Sequence, residues 1–140
     1  MKIKVIIAAV VAIVLIPVFS VAGDVVLIGN RSITESALSS KDIGNIYLGK
    51  KTLWQDGAKI VFVVRKEAEI NKTFLKEYVH KSPSQYDRHW KKLIFTGKGF
   101  APQAFESDQA LIKFVSETRG AIGYVSPGSK LENVKTISVK

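Results

Sequence analysis

The sequence contains no cysteine and only two histidines, and these scarcities exclude several functions at the outset. Without cysteine the chain can form no disulfide and can carry no lipoprotein anchor. His80 and His89 are nine residues apart and have no recognised metal-ligand spacing. The chain also lacks a nucleophile elbow. We therefore expect no enzyme, no metal site and no cofactor.

Acidic residues are also scarce, with 12 Asp and Glu against 21 Lys and Arg, which gives a formal net charge of +9. A basic domain could meet an anionic solute, an anionic membrane or nucleic acid. No basic stripe alternates with aromatic residues, so we expect no nucleic-acid partner. The charge favours a small anionic ligand, with a merely solvated basic surface as the alternative.

The N-terminus has the pattern of a secretory signal peptide. Lys2 and Lys4 precede an uncharged apolar segment, and Ser20-Val21-Ala22 places small residues before a cleavage site. The apolar segment is about 15 residues long, shorter than the roughly 20 needed to span a bilayer. We predict a signal peptide over residues 1–22, a single domain over residues 23–140, and a bacterial periplasmic or secreted location without a stable membrane span. An uncleaved anchor is the alternative.

A short helix with both ends marked leads into a buried strand, and this unit predicts an α/β domain. Ser39 has a preferred N-cap side chain, and Asp42 lies at the capping-box position three residues later. Gly49 can adopt the left-handed conformation that ends a helix. The apolar run over residues 60–64 is typical of a strand buried on both faces.

Apolar periodicity and capping residues predict the remaining elements. Gly123 would allow a helix or a ligand to approach the sheet closely. The expected strands are residues 25–29, 121–125 and an edge strand over 134–139; the expected helices are residues 68–81, one opened by Ser84 with Asp87 at its capping-box position, and one capped by Ser107.

Four motifs, in order along the chain, resemble the second lobe of the phosphate ABC-transporter substrate-binding proteins. The first reads LSSKDIGNIYLGKKTLWQDG from Leu38. KSPSQ from Lys81 and W-x4-FTGKG from Trp90 are similar to short, single-lobe relatives of that family. AIGYV from Ala121 is similar to the family's PGAIGYV, with Arg119 standing where proline is usual. The resemblance covers about residues 25–125, nearly all of the predicted domain.

The resemblance implies a fold and a class of function. The family consists of two-lobed type II periplasmic binding proteins, so this chain is expected to form a single three-layer α/β lobe. Its central mixed sheet would be flanked by about four helices. The implied ligand is phosphate or a similar small oxyanion, and the implied partner is an ABC transporter.

Two places in the sequence are candidate ligand contacts from their position alone. Asn30, Arg31 and Ser32 follow the first strand, and ligands of α/β sheets bind outside the carboxyl ends of strands. A polar turn is the alternative explanation for these three. Arg65 ends the second strand directly before a helix, whose N-terminal N–H groups favour an anion that the guanidinium could also bind.

The resemblance adds further candidates. The phosphate binders carry Ser-Gly-Thr-Thr-Phe after their arginine, and Thr73 matches a threonine of that run. Residues 67–72 depart from it, because they bring two carboxylates and contain no Ser-Gly pair. Thr96 and Lys98 belong to the FTGKG turn, which would offer N–H groups and a positive charge. The candidate ligand-binding residues are therefore Asn30, Arg31, Ser32, Arg65, Thr73, Thr96 and Lys98.

Two functions stay open. The first is an exported solute-binding module for phosphate or a similar small oxyanion, which Arg65 and the basic charge favour. The second is an interaction or assembly protein of the cell envelope that kept the lobe and lost transport, which the altered loop and the missing lobe favour. A half-site should bind an oxyanion weakly, because a desolvated oxyanion needs most of its lone pairs satisfied. A homodimer or a second protein would complete it.

Overall fold

The computed structural model describes residues 25–66 and 68–140, so the predicted signal peptide and Glu67 lie outside the described residues. The strands are β1 (Val26–Asn30), β2 (Ala37–Leu38), β3 (Val61–Arg65), β4 (Gln103–Phe105), β5 (Ala121–Val125), β6 (Val134–Thr136) and β7 (Ser138–Val139). The helices are α1 (Ser40–Tyr47), α2 (Glu69–Phe74), α3 (Pro83–Phe95) and α4 (Asp108–Glu117), and α2 continues as a π-helical turn, Leu75–Val79.

The central sheet is mixed and has five strands in the order β4-β3-β5-β1-β6. β3 pairs in parallel with β4 and with β5. β1 pairs antiparallel with β5 and with β6. The carboxyl end of β1 therefore lies at the opposite end of the sheet from the carboxyl ends of β3, β4 and β5. This arrangement decides which of the candidate residues can meet.

Helices cover both faces of the sheet, which gives three layers. On one face α1, α2 and α3 pack over the sheet, and there Tyr47 and Phe74 contact Tyr124. On the other face α4 packs alone, with Leu111 in one cluster with Val63. Because side chains alternate along a strand, β5 contributes to both clusters. The predicted fold class, a single three-layer α/β lobe around a mixed sheet, is confirmed.

Two local predictions are confirmed at atomic detail. Ser39 caps α1, since its side chain accepts the N–H of Asp42 at 3.0 Å, and Gly49 after the helix has φ +76°. Gly123 permits the close approach of α4, because a Cβ there would lie 2.7 Å from Cδ2 of Leu111. A side chain at Gly123 would push that helix off the sheet.

The start of α3 differs from the prediction. Ser82, rather than Ser84, is the N-cap: its Oγ accepts the N–H of Gln85 at 3.2 Å, and Oε1 of Gln85 accepts the N–H of Ser82 at 2.9 Å. Pro83 occupies the first helical position. Proline suits that position, because its N–H is missing where no intrahelical acceptor exists. Asp87 is therefore not a capping-box residue.

Two predicted elements are interrupted. The helix expected over residues 68–81 begins at Glu69, widens after Phe74 into the π-helical turn, and ends at His80 with φ +58°. The strand expected over residues 134–139 divides around Ile137, whose side chain is buried. Beyond it, β7 leaves the central sheet and pairs in parallel with β2. None of the helices that the structure describes has the length and apolar character needed to cross a bilayer.

Candidate functional site

A cleft of about 730 Å³ opens at the carboxyl end of β3, between that strand, α2 and α3. We call it the β3 cleft. Its described lining carries four cations and two carboxylates, so it is not uniformly basic. The charged and polar lining residues are Arg65, Lys66, Glu69, Asn71, Lys72, Tyr86, Asp87 and Lys91.

Arg65 stands at the end of β3 and is held from two sides. Its Nε lies 2.8 Å from Oδ1 of Asp108, and its Nη1 donates to the carbonyl oxygen of Phe105 at 3.1 Å. The Arg65 and Asp108 side chains are 11% and 19% exposed, so the ion pair is largely shielded from solvent. A guanidinium has five N–H groups. Within the described residues, the guanidinium makes no further hydrogen bond.

Asp108 is fixed by more than its arginine. Its Oδ2 accepts the hydroxyl proton of Ser129 at 2.8 Å and the N–H of Ser126 at 3.2 Å. Burial alone raises the pKa of the Asp108 carboxyl, but the hydrogen bonds from Ser129 and Ser126, together with the Arg65 charge, outweigh it and lower the pKa below its usual value. Asp108 is therefore ionised at neutral pH. Its negative charge offsets much of the charge of the guanidinium.

A buried tyrosine links Arg65 to α2. The hydroxyl of Tyr124 accepts the backbone N–H of Arg65 at 3.1 Å and donates to Oδ1 of Asn71. Burial raises the pKa of Tyr124, so the hydroxyl keeps its proton. Because that single proton goes to Oδ1, the NH₂ group of Asn71 remains as a donor beside the cleft.

Asn30, the last residue of β1, makes hydrogen bonds within the fold. Nδ2 of Asn30 donates to the carbonyl oxygens of Val115 and Ser116 at 2.8 and 3.1 Å, near the end of α4. Its Oδ1 accepts the N–H of Ser32 at 2.9 Å. The side chain is buried, and these bonds account for both ends of its amide.

Ser32 and Arg31 lie at the same end of the sheet as Asn30. The hydroxyl of Ser32 accepts the N–H of Gly120 at 3.1 Å, and Arg31 is exposed. Because β1 runs antiparallel to β5, these residues lie at the opposite end of the sheet from Arg65. The structure does not bring them together with the β3 cleft, and their role in ligand binding stays a prediction.

The other candidates are also separated from one another. Thr73 is half-buried within α2 and does not line the β3 cleft. Thr96 donates its hydroxyl proton to the carbonyl oxygens of Lys92 and Leu93, at 2.9 and 3.2 Å, and so ends α3. Lys98 lines a second cavity beside the first half of β3. Of the sequence-predicted residues, only Arg65 lines the β3 cleft.

Sequence reasoning missed two residues of this site, Asp108 and Asn71. Asp108 is 43 residues from Arg65 in the chain, so no local pattern could pair them. Asn71 lies in the segment that replaces the family's Ser-Gly pair, and a polar residue there was the available signal. No group of three or more metal-ligating side chains occurs in the part of the chain that the structure describes.

A comparison with known protein families assigns this chain to a family. A family profile described as "PBP superfamily domain" matches residues 12–139, which is most of the chain. The chain therefore belongs to the PBP superfamily domain family. No curated protein matches the sequence.

Three solved structures that share this fold are described as phosphate-binding or phosphate-transport proteins. One is a phosphate ABC transporter substrate-binding protein from Clostridium perfringens with bound phosphate, with TM-score 0.64 and 21% identity, covering 83% of this chain and 44% of that one. An ABC-type phosphate transport receptor from Vibrio cholerae has TM-score 0.55 and 17% identity, covering 83% and 46%. PstS from Borrelia burgdorferi has TM-score 0.55 and 19% identity, covering 84% and 47%. The chain thus spans less than half the length of each of these proteins.

Proposed function

We propose that this domain is an exported solute-binding module that binds phosphate or a similar small oxyanion in the β3 cleft. The observation that carries the proposal is the position of Arg65. It ends a central parallel strand, its guanidinium forms an ion pair with Asp108, and it lines a cleft directly before a helix. The C. perfringens protein of the same fold has phosphate bound, which supports the choice of ligand.

Three kinds of donor would hold the oxyanion. Nη2 of Arg65 supplies a charge-assisted hydrogen bond. The NH₂ group of Asn71 supplies a neutral one, fixed in direction by Tyr124. The first N–H groups of α2 supply a third, since Ala68 makes no side-chain hydrogen bond as the N-cap of this helix. Together they form one wall of a site that needs no metal.

The surrounding charges predict modest affinity. Lys66, Lys72 and Lys91 are exposed cations of the lining, and Glu69 and Asp87 are exposed carboxylates. Exposed charges are screened by salt, so their attraction for an anion weakens as ionic strength rises. Since Asp108 already offsets Arg65, we expect the anion to be held mainly by directed hydrogen bonds.

The same proposal includes a partner that completes the oxyanion site. A second copy of the chain or a second protein would provide the opposite wall, in the place of the other lobe of the phosphate-transport proteins. Export by a cleaved signal peptide and delivery to an ABC transporter are part of the proposal, and the sequence pattern of residues 1–22 supports the first.

A second candidate function is an envelope interaction protein that kept the lobe and lost transport. Phe95 and Phe100 favour it, because their side chains are 93% and 91% exposed and they flank the turn over residues 96–99. Exposed aromatic residues of this kind are typical of contact surfaces. The offset charge of Arg65 and the absence of a Ser-Gly pair in residues 67–72 point the same way.

Calorimetry of the purified protein separates the two functions. Phosphate, sulfate and molybdate would be titrated at low salt and at moderate salt. Saturable binding of one anion that persists at moderate salt supports the solute-binding function. No binding, or weak binding of all three that fades with salt, supports the second function.

A matched pair of variants tests the site itself. Arg65→Lys keeps a cation beside Asp108 but removes the planar guanidinium donors, so we expect about tenfold weaker oxyanion binding. Arg88→Lys changes an exposed arginine of α3 that does not line the cleft, and we expect no change in affinity. Equal affinities for the two variants would remove Arg65 from the site.

A further inference from the structure

A second cavity, of about 580 Å³, lies between the loop after α1, the first half of β3 and α3 with the turn that follows it. We call it the lysine-rimmed pocket. It is separate from the β3 cleft, although Trp90, Ala101 and Pro102 contribute to both. Its volume is within the usual range for a small-molecule site, roughly 300–1,000 Å³.

The floor of this pocket is apolar. Phe62 and Trp90 pack against each other with ring centroids 5.4 Å apart, and Ile60 and Leu93 complete the floor. Trp90 donates its indole N–H away from the pocket, to the carbonyl oxygen of Tyr47 at 3.1 Å. Burial of an apolar group against this floor would be favourable.

The rim carries charge of one sign. Lys50, Lys51, Lys59 and Lys98 line the mouth, and the described lining residues include no Asp or Glu. Lys51 has an acidic neighbour outside the lining, Asp42, at 3.8 Å. The other three lysines are exposed. This differs from the β3 cleft, whose lining carries both signs, and it favours a ligand with negative charge at one end.

We infer that the lysine-rimmed pocket binds a small anionic amphiphile: a molecule with an aliphatic or aromatic body and a single anionic head such as a carboxylate, sulfonate or phosphate. The apolar floor takes the body, and the lysines take the head at the mouth. A bare inorganic oxyanion would leave the floor unused, and an uncharged apolar molecule would leave the lysines unused. This inference does not depend on oxyanion binding in the β3 cleft.

Phe100 lines the pocket, and its contribution to ligand binding can be tested. Its side chain is 91% exposed, so its removal should not affect folding. Phe95, the last residue of α3, is 93% exposed but does not line the pocket. The two phenylalanines are therefore a matched pair that distinguishes the pocket from general surface hydrophobicity.

The test is a calorimetric titration of the full chain with decanoate below its micellar concentration. Acetate has the same head without the tail, decanol the same tail without charge, and decyltrimethylammonium the same tail with positive charge. We expect saturable binding of one decanoate per chain, and at least tenfold weaker binding of the other three. Equal binding of decyltrimethylammonium and decanoate would overturn the inference.

Variants locate the binding. The triple variant Lys50→Gln, Lys59→Gln, Lys98→Gln should weaken decanoate binding on the order of tenfold, because three charge contacts are lost. The triple variant Lys41→Gln, Lys76→Gln, Lys113→Gln removes the same charge from exposed positions outside the pocket and should change affinity less than twofold. Equal losses in both variants would show a non-specific charge effect and overturn the inference.

The phenylalanine pair and a membrane control complete the test. Phe100→Ser should weaken decanoate binding severalfold, and Phe95→Ser should not. Equal loss in both would place the contact on the turn's surface instead of in the pocket. Vesicles of phosphatidylcholine with and without phosphatidylglycerol test for a lipid surface. Binding to the anionic vesicles without binding of free decanoate would overturn the pocket in favour of the membrane.

Discussion

At the residue scale, the affinity of the β3 cleft is limited by its own carboxylates. Glu69 lines the cleft at the start of α2, and Glu77 lies farther along the same helical segment, outside the lining. Both are exposed. Glu69→Gln removes a charge that repels an oxyanion, so we expect phosphate to bind about threefold more tightly. Glu77→Gln should leave the affinity unchanged, and calorimetry of the two variants checks this. Tighter phosphate binding by Glu77→Gln as well would mean that net charge alone attracts the anion.

The ion pair of Arg65 and Asp108 is also a stability element. Asp108→Asn would leave the guanidinium largely buried without its counter-charge. Breaking a fully buried pair costs about 3–5 kcal/mol, and since both side chains keep some exposure we expect about 2 kcal/mol. Glu106→Gln is the control, because its pair with Lys66 is 3.9 Å long and highly exposed and should matter by less than about 0.5 kcal/mol. Urea unfolding at neutral pH measures both, and equal losses would contradict the assignment.

The same pair predicts a pH dependence. The pKa of Asp108 is lower in the folded state than its usual value of 3.8, so its contribution to stability is fully present above that value. The contribution is lost as the pH falls through the lower, folded-state pKa. The difference in unfolding free energy between the wild-type protein and Asp108→Asn should therefore be constant near neutral pH and shrink below pH 3.8. A difference that does not change with pH would contradict this role for Asp108.

Single residues also show how far the sequence could predict the site. Arg65 was predicted from a strand, a helix start and a family resemblance, all of which are local. Its partner Asp108 was not predicted, because only the packing of α4 beside β3 brings the two together. Asn30 looked like a ligand contact because it is polar and follows a strand. In the structure its amide donates to two carbonyl oxygens near the end of α4, and its role in ligand binding stays a prediction.

At the element scale, the start of α3 allows a test between two candidate N-cap residues, Ser82 and Ser84. Ser82 accepts the N–H of Gln85 and completes a capping box, and Pro83 fixes the first helical position. Ser82→Ala should therefore cost about 1 kcal/mol of unfolding free energy. Ser84→Ala, at the position predicted from sequence, should cost almost nothing. Denaturant unfolding compares the two, and a larger loss for Ser84→Ala would reverse the assignment.

Elements with strong local signals were predicted well, and long-range pairing was not. α1 and α4 were found from Ser39 and Ser107, which the structure confirms as N-caps. β5 was predicted with its observed limits, from an apolar run after a glycine. β4 was missed because it is three residues long and mostly exposed. The direction of β1 is set by its pairing with β5, far along the chain, and no local residue specifies it.

At the scale of the whole molecule, the chain matches less than half of the length of the C. perfringens protein, and we propose that the β3 cleft supplies one wall of the oxyanion site. The chain covers 44% of the C. perfringens protein, which is the share expected of one lobe. One wall of donors leaves part of a bound oxyanion in water. Each hydrogen bond to the anion in such an open site contributes less binding free energy than in an enclosed site, because water competes for the same lone pairs.

The assembly state and the affinity should therefore change together. We expect the isolated monomer to bind phosphate more weakly than micromolar, because its donors satisfy only part of the oxyanion. If the protein binds at micromolar affinity or better, we expect a second copy to supply the opposite wall, with one anion between two chains. Light scattering with and without phosphate, combined with the calorimetric stoichiometry, measures this, and Arg65→Lys should weaken any anion-dependent dimer. A monomer that binds one phosphate at micromolar affinity would show that a single lobe suffices and would contradict the half-site argument.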